Sequence, residues 1–179
     1  MVPSEFGAHR LTRGVRCLLQ SQPVLVIISK LKVTFDDPEH GWVGLSINCA
    51  NESVTIIASY TPTDSLLDLI NALYNLYLYS GEAKVIWHSG STEYQFCFCR
   101  EGDLVGLVAY EYPDHLRHYG RGEEFFKVRG SYEEVCLPLR RALRSLQGRY
   151  SCEELIRRWQ RLFPSEEING LTRLLQEGD

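Results

Sequence analysis

The sequence predicts an α+β domain: a mostly antiparallel sheet of six or seven strands in two meanders, one inserted helix, and a C-terminal helical layer. Three observations predict it. Apolar residues between 24 and 59, and again between 83 and 128, form short β-branched or alternating runs broken by Gly, Pro, Asn and Asp. That is the pattern of half-buried strands joined by tight turns. Between the two blocks, Leu66, Leu69, Ile70, Leu73 and Leu76 recur at helical spacing. After residue 131 the spacing is helical throughout, with two Ser-x-x-Glu starts. The strands follow one another too closely for a doubly wound parallel sheet, which needs a long crossover between neighbours.

The elements follow in order. Val24 to Phe35 reads as a first strand, and Asp36 to Gly41 as a turn on Pro and Gly chemistry. Trp42 to Cys49 alternates as a second strand, and Ser53 to Ser59 follows as a third. Thr63-Asp64 can cap a helix that runs from Asp64 to about Tyr79 and is stopped by Gly81. Its broad apolar stripe places it against the sheet. Strands resume at Ala83–His88, Glu93–Arg100 and Leu104–Tyr112, then at Phe125–Val128 after a polar loop spanning Pro113 to Glu124. Ser131 with Glu134, and Ser151 with Glu154, have the capping-box spacing. They open helices, the second reaching about Leu162, and Pro138 should kink the first or delay its start. A final helix begins at Pro164-Ser165. Residues 1–22 read as an N-terminal extension and 23–179 as the single domain.

The bulk chemistry narrows the class. The chain has 179 residues and a net charge of −4. Acid dominates up to Tyr112, with 7 Lys+Arg against 12 Asp+Glu, whereas the remainder carries 12 against 11. That balance makes a nucleic-acid binder unlikely, since such proteins carry a clear basic excess. Six cysteines, four of them inside apolar runs, read as buried reduced thiols. No run approaches a membrane span or the apolar core of a signal peptide. The expectation is a cytoplasmic protein without a membrane association.

Candidate chemistry is sparse. Cys97-x-Cys99 with His115-x-x-His118 has the residue types of a zinc site but not the usual spacing, so no metal and no cofactor are expected. His88-Ser89-Gly90-Ser91 lacks the strand-to-helix context of a nucleophile elbow and reads as a β-turn. Paired glutamates at 133–134, 153–154 and 166–167 open helices, where the dipole favours negative charge. No catalytic residues are assigned. What stands out is Arg and Tyr. Arg140, Arg141 and Arg144 share a helix, and Arg157, Arg158 and Arg161 repeat their spacing. The 113–124 loop holds His115, Arg117, His118, Tyr119 and Arg121, a mixture typical of binding hot spots.

The pattern of Trp42, Ala58-Ser59-Tyr60 with Asp64 and Leu69, then Trp87 and Tyr94, resembles a loose group of small bacterial proteins. These serve as immunity proteins in polymorphic toxin systems. The resemblance spans Gly41 to Val128 and departs from the group at His88-Ser89-Gly90. It implies a β-meander, an inserted helix and a second meander, and a function in binding and blocking a toxin. The reading from residues agrees: a non-catalytic protein-binding module whose partner contacts His115, Arg117, His118, Tyr119, Arg121, Arg140, Arg141 and Arg144. The alternative is an enzyme or small-ligand-binding protein with a pocket between the sheet and the inserted helix.

Overall fold

The computed structural model describes residues 30–50, 52–113 and 122–177. Seven strands and four helices alternate as the sequence implies. They are β1 (Lys32–Phe35), β2 (Trp42–Cys49), β3 (Glu52–Ser59), α1 (Ser65–Leu78), β4 (Gly81–Ser89), β5 (Thr92–Glu101) and β6 (Leu104–Tyr112). β7 (Glu123–Ser131), α2 (Tyr132–Gly148), α3 (Cys152–Trp159) and α4 (Ser165–Glu177) complete the chain. All strand pairs are antiparallel, and the strands lie in the sheet in chain order.

The two meanders are sharply distinct. β2 and β3 share eight residue pairs and β4 and β5 share nine, but β3 meets β4 only at Ser59 and His88. α1 enters at that seam. Its N-cap Asp64 accepts from the Leu67 amide at 3.2 Å. Leu66, Leu69, Ile70 and Leu73 are all buried, and the Ser65 hydroxyl donates to the Ile86 carbonyl at 2.7 Å. Beyond the seam the sheet curls. The Phe35 ring from β1 lies 6.3 Å from Trp87 on β4, and α2 packs on both β1 and β7, the two ends of the strand order. α2 therefore lies in the curl, burying Val135, Leu139, Leu143 and Leu146, and α1 packs beside it on β4.

The capping expectations hold at both sites. Ser131 and Glu134 form the reciprocal box, and the Ser151 hydroxyl accepts from the Glu154 amide. Five expectations change. β1 begins at Lys32 rather than Val24, and 24–29 lie outside the described residues. β7 runs from Glu123 to Ser131 rather than Phe125 to Val128. Its first residues are acidic yet pair with Glu111 and Tyr110, because an edge strand tolerates outward charge that a central one would not. α3 ends at Trp159, short of Leu162, where Gln160 turns left-handed at φ 58°. Pro138 does not delay α2, which starts at Tyr132. Cys97 and Cys99, expected buried, are half-buried, because they face away from the core side that Phe96 and Phe98 occupy.

Candidate protein-binding surface

Arg140, Arg141 and Arg144 project from the second half of α2. The helix buries Val135, Leu139, Ala142, Leu143 and Leu146, so the arginines occupy the remaining arc. Arg140 sits on the side facing α4. Its Nη1 donates to Thr172 Oγ1 at 3.3 Å, while its Nε is buried without a hydrogen-bond partner. Arg144, one turn on, reaches Asn169 Oδ1 at 3.4 Å. Arg141 is exposed and lines a groove toward β1. No carboxylate among the described residues pairs with any of the three. Burial first, then the charges of Arg141 and Arg144, push the Arg140 guanidinium below its usual range. The three form a positive cluster that nothing on the described molecule neutralises.

The second arginine set contrasts with this. Arg157 and Arg158 pair with Glu154 at 3.6 and 3.0 Å. Arg161 approaches Asp64 at 3.8 Å and donates to the Tyr60 carbonyl at 3.2 Å. Arg158 also lies over the Tyr150 ring, 4.6 Å from its centroid. Its backbone carbonyl accepts from the Gly41 amide at 2.8 Å. Gly41 has φ +80°, and a Cβ there would strike the Tyr60 ring. These residues fasten α3 to the β1–β2 turn, a structural role separate from the α2 cluster. Arg149 does the same for the end of α2, pairing with Asp37 at 2.6 Å and donating to the Phe35 carbonyl at 2.7 Å.

His115, Arg117, His118, Tyr119 and Arg121 lie outside the described residues. The strands that carry their loop are described. Register runs across the sheet from Trp42 through Ser59, His88 and Glu93 to Tyr112, so the loop leaves the sheet at the end of that row. α2 starts at the opposite end, beside Leu104, and returns toward this one, ending near Phe35 and Asp37. At the loop's foot is a feature that sequence reasoning missed: Glu93 and His88 are buried, with 3.9 Å between Oε2 and Nδ1. Alternation alone cannot reveal a histidine and a carboxylate buried together at a strand end. His88-Ser89-Gly90-Ser91 forms the β4–β5 turn, with Ser89 opposite Thr92 and Gly90 at φ +59°. The histidines of the Cys97, Cys99, His115, His118 set are likewise outside the described residues. Among the described residues no three metal-ligating side chains converge.

Two cavities are relevant. A groove of about 590 Å³ separates residues 30–34 from Leu137, Pro138 and Arg141 of α2, with Glu133 and Glu134 at one end. A shallower depression of about 310 Å³ lies by Trp42 and Ile57 on the outer face of β2 and β3. Neither is lined by α1, whose contact with the sheet is filled by leucines.

Fold and surface together define an α+β protein with a curled antiparallel sheet packed on α1 and α2, in which α2 displays an arginine cluster that pairs with no carboxylate among the described residues. No family model, curated protein or solved structure matches the chain. Among the described residues, no helix is long and apolar enough to cross a membrane.

Proposed function

We propose that this chain is a non-catalytic protein-binding module that holds an acidic protein partner and blocks it, in the manner of an immunity protein. One observation carries the reading: among the described residues Arg140, Arg141 and Arg144 have no carboxylate partner, whereas Arg149, Arg157, Arg158 and Arg161 all do. Uncompensated guanidinium groups crowded on one helix destabilise each other. Planar, always-charged forks are well suited to recognising carboxylates. The cost of crowding them is offset when a partner supplies the anions. The loop residues His115, Arg117, His118, Tyr119 and Arg121 belong to the same proposed surface on their chemistry.

The test is charge reversal on the full chain. Immobilised protein should retain a protein partner that Arg140→Glu/Arg141→Glu/Arg144→Glu releases, with retention falling as salt rises. If the partner is a toxin, its activity should fall on addition of the wild-type chain and not of the variant. Equal retention by a folded triple variant refutes the arginine surface.

A further inference from the structure

The groove between β1 and α2 is the edge of the sheet. Five consecutive residues, 30–34, line it; the face of a strand would present only alternate ones. Among the described residues β1 is the outermost strand, paired only with β2. The Asp36 amide donates to the Gly44 carbonyl at 2.8 Å, so Asp36, Thr34 and Lys32 direct their backbone groups at β2. In an antiparallel ladder the intervening residues point the other way. Leu31, Val33 and Phe35 therefore direct their N–H and C=O groups outward. Arg149 already takes the Phe35 carbonyl. Leu31 and Val33 present theirs to the groove.

The groove's chemistry is amphipathic. Lys30, Lys32 and Arg141 line it, and none pairs with a carboxylate among the described residues. Of its two glutamates, Glu134 is committed to the Ser131 amide at 2.8 Å and Glu133 sits in the first turn of α2. Leu137 and Pro138 supply an apolar wall. Across a strand pair, opposite charges attract and like charges repel. A strand added here would place acidic residues against Lys30 and Lys32 and alternate apolar ones against Leu137 and Pro138.

We infer that this groove takes an extended, alternating acidic and apolar segment of the partner as an eighth strand on β1. The inference rests on the protein-binding reading above and specifies its mode: main-chain hydrogen bonds supply affinity and the cationic rim supplies selectivity. The probe is a fluorescein-labelled (Glu-Val)₄ peptide titrated into the full chain. It should bind at least tenfold more tightly than (Lys-Val)₄ or than (Glu-Val)₄ N-methylated at every amide, and binding should protect the Val33 amide from exchange. Val33→Pro removes the outward N–H at an edge position that accommodates proline, and Lys32→Glu reverses the rim; each should weaken binding at least tenfold. Absence of binding, or equal binding of the N-methylated peptide, overturns the inference, and that comparison decides the matter alone if Val33→Pro fails to fold. Concentration-dependent dimers that protect Val33 would assign the edge to a second copy. Val33 protection in the monomer without peptide would assign it to residues 23–29. Either result overturns the inference. If the triple arginine reversal releases the partner while Val33→Pro retains it, the protein-binding reading stands and the strand-addition inference falls.

Discussion

At the scale of single residues, burial decides which polar groups are structural and which face outward. Cys136 shows the first kind. It is buried on α2, and burial pushes its thiol up to about 12, with Arg100 pulling the other way. An unfolded chain would release that proton near 9, whereas the folded one holds it. Stability that is complete below about pH 9 is therefore lost as pH rises toward 12. Burial raises Tyr132, Cys97, Cys99 and Tyr94 as well, so they act in the same direction. Urea denaturation at pH 8 and pH 10.5 should show wild type losing about 1–2 kcal/mol more over that interval than Cys136→Ala, at ~1.4 kcal/mol per pH unit. An identical loss in both proteins would remove Cys136 as a source of alkaline sensitivity. The buried Cys136 was legible from its place in an apolar run. Arg140, Arg141 and Arg144 were legible as a cluster, but not their lack of partners, because partner choice depends on which helices lie side by side.

At the scale of elements, local sequence rules were most reliable where the signal is chemical and short in range. Asp64, Ser131 and Ser151 each cap the helix they precede, because a side-chain acceptor beside free amides works wherever the helix is then packed. The other end of α1 shows what such rules miss. Its last turn contains no basic residue. Arg100 from β5 reaches over and donates to the Leu76 and Tyr77 carbonyls, while lying 6.0 Å from the Tyr132 ring centroid. The Tyr132 hydroxyl donates to Leu73 O at 2.9 Å. A sheet residue 23 positions away cannot be assigned to a helix terminus without the fold in hand. Arg100→Ala should cost about 2–3 kcal/mol, as expected for charged groups serving otherwise unpartnered carbonyls. Arg100→Lys should recover less than half, because the guanidinium serves both carbonyls through Nη1 while its Nε donates to the Gly102 carbonyl at 2.9 Å, and a single ammonium cannot hold both ends of that plane. Chemical denaturation of the three proteins measures this, and full recovery by lysine would show that the Nε–Gly102 arm contributes nothing to stability.

At the scale of the whole molecule, strand order and class were readable because each meander is a series of local hairpins. The seam between meanders was not. Nothing in the alternation of Ser53–Ser59 or Ala83–His88 distinguishes one shared residue pair from eight. The curl that brings Phe35 to Trp87 was equally hidden, since it follows from fitting two ribbons around α2. The groove arises from the same cause: α2 leans past β1 far enough to wall its outer edge. A sequence can specify an edge strand without disclosing what stands beside it.

The chain-order arrangement of the sheet also has a consequence in time. Neighbouring strands are joined by short connections except across α1 and across residues 113–122, so most pairing has low contact order and closes quickly. Distant closures include Arg149 to Phe35 and Asp37, Gly41 to Arg158, and Asp64 to Arg161. Each ties the last third of the chain to the first meander or, at Asp64, to the start of α1, across more than ninety residues of sequence. Such ties belong on the native side of the transition state. Arg149→Ala should therefore leave the refolding rate within about twofold while raising the unfolding rate roughly five- to tenfold, the signature of a low-φ position. Stopped-flow refolding and unfolding arms would separate the two. A slowed folding arm would instead place the closure of β1 onto α2 inside the nucleus, making the ends of the fold, and not its hairpins, the slow step.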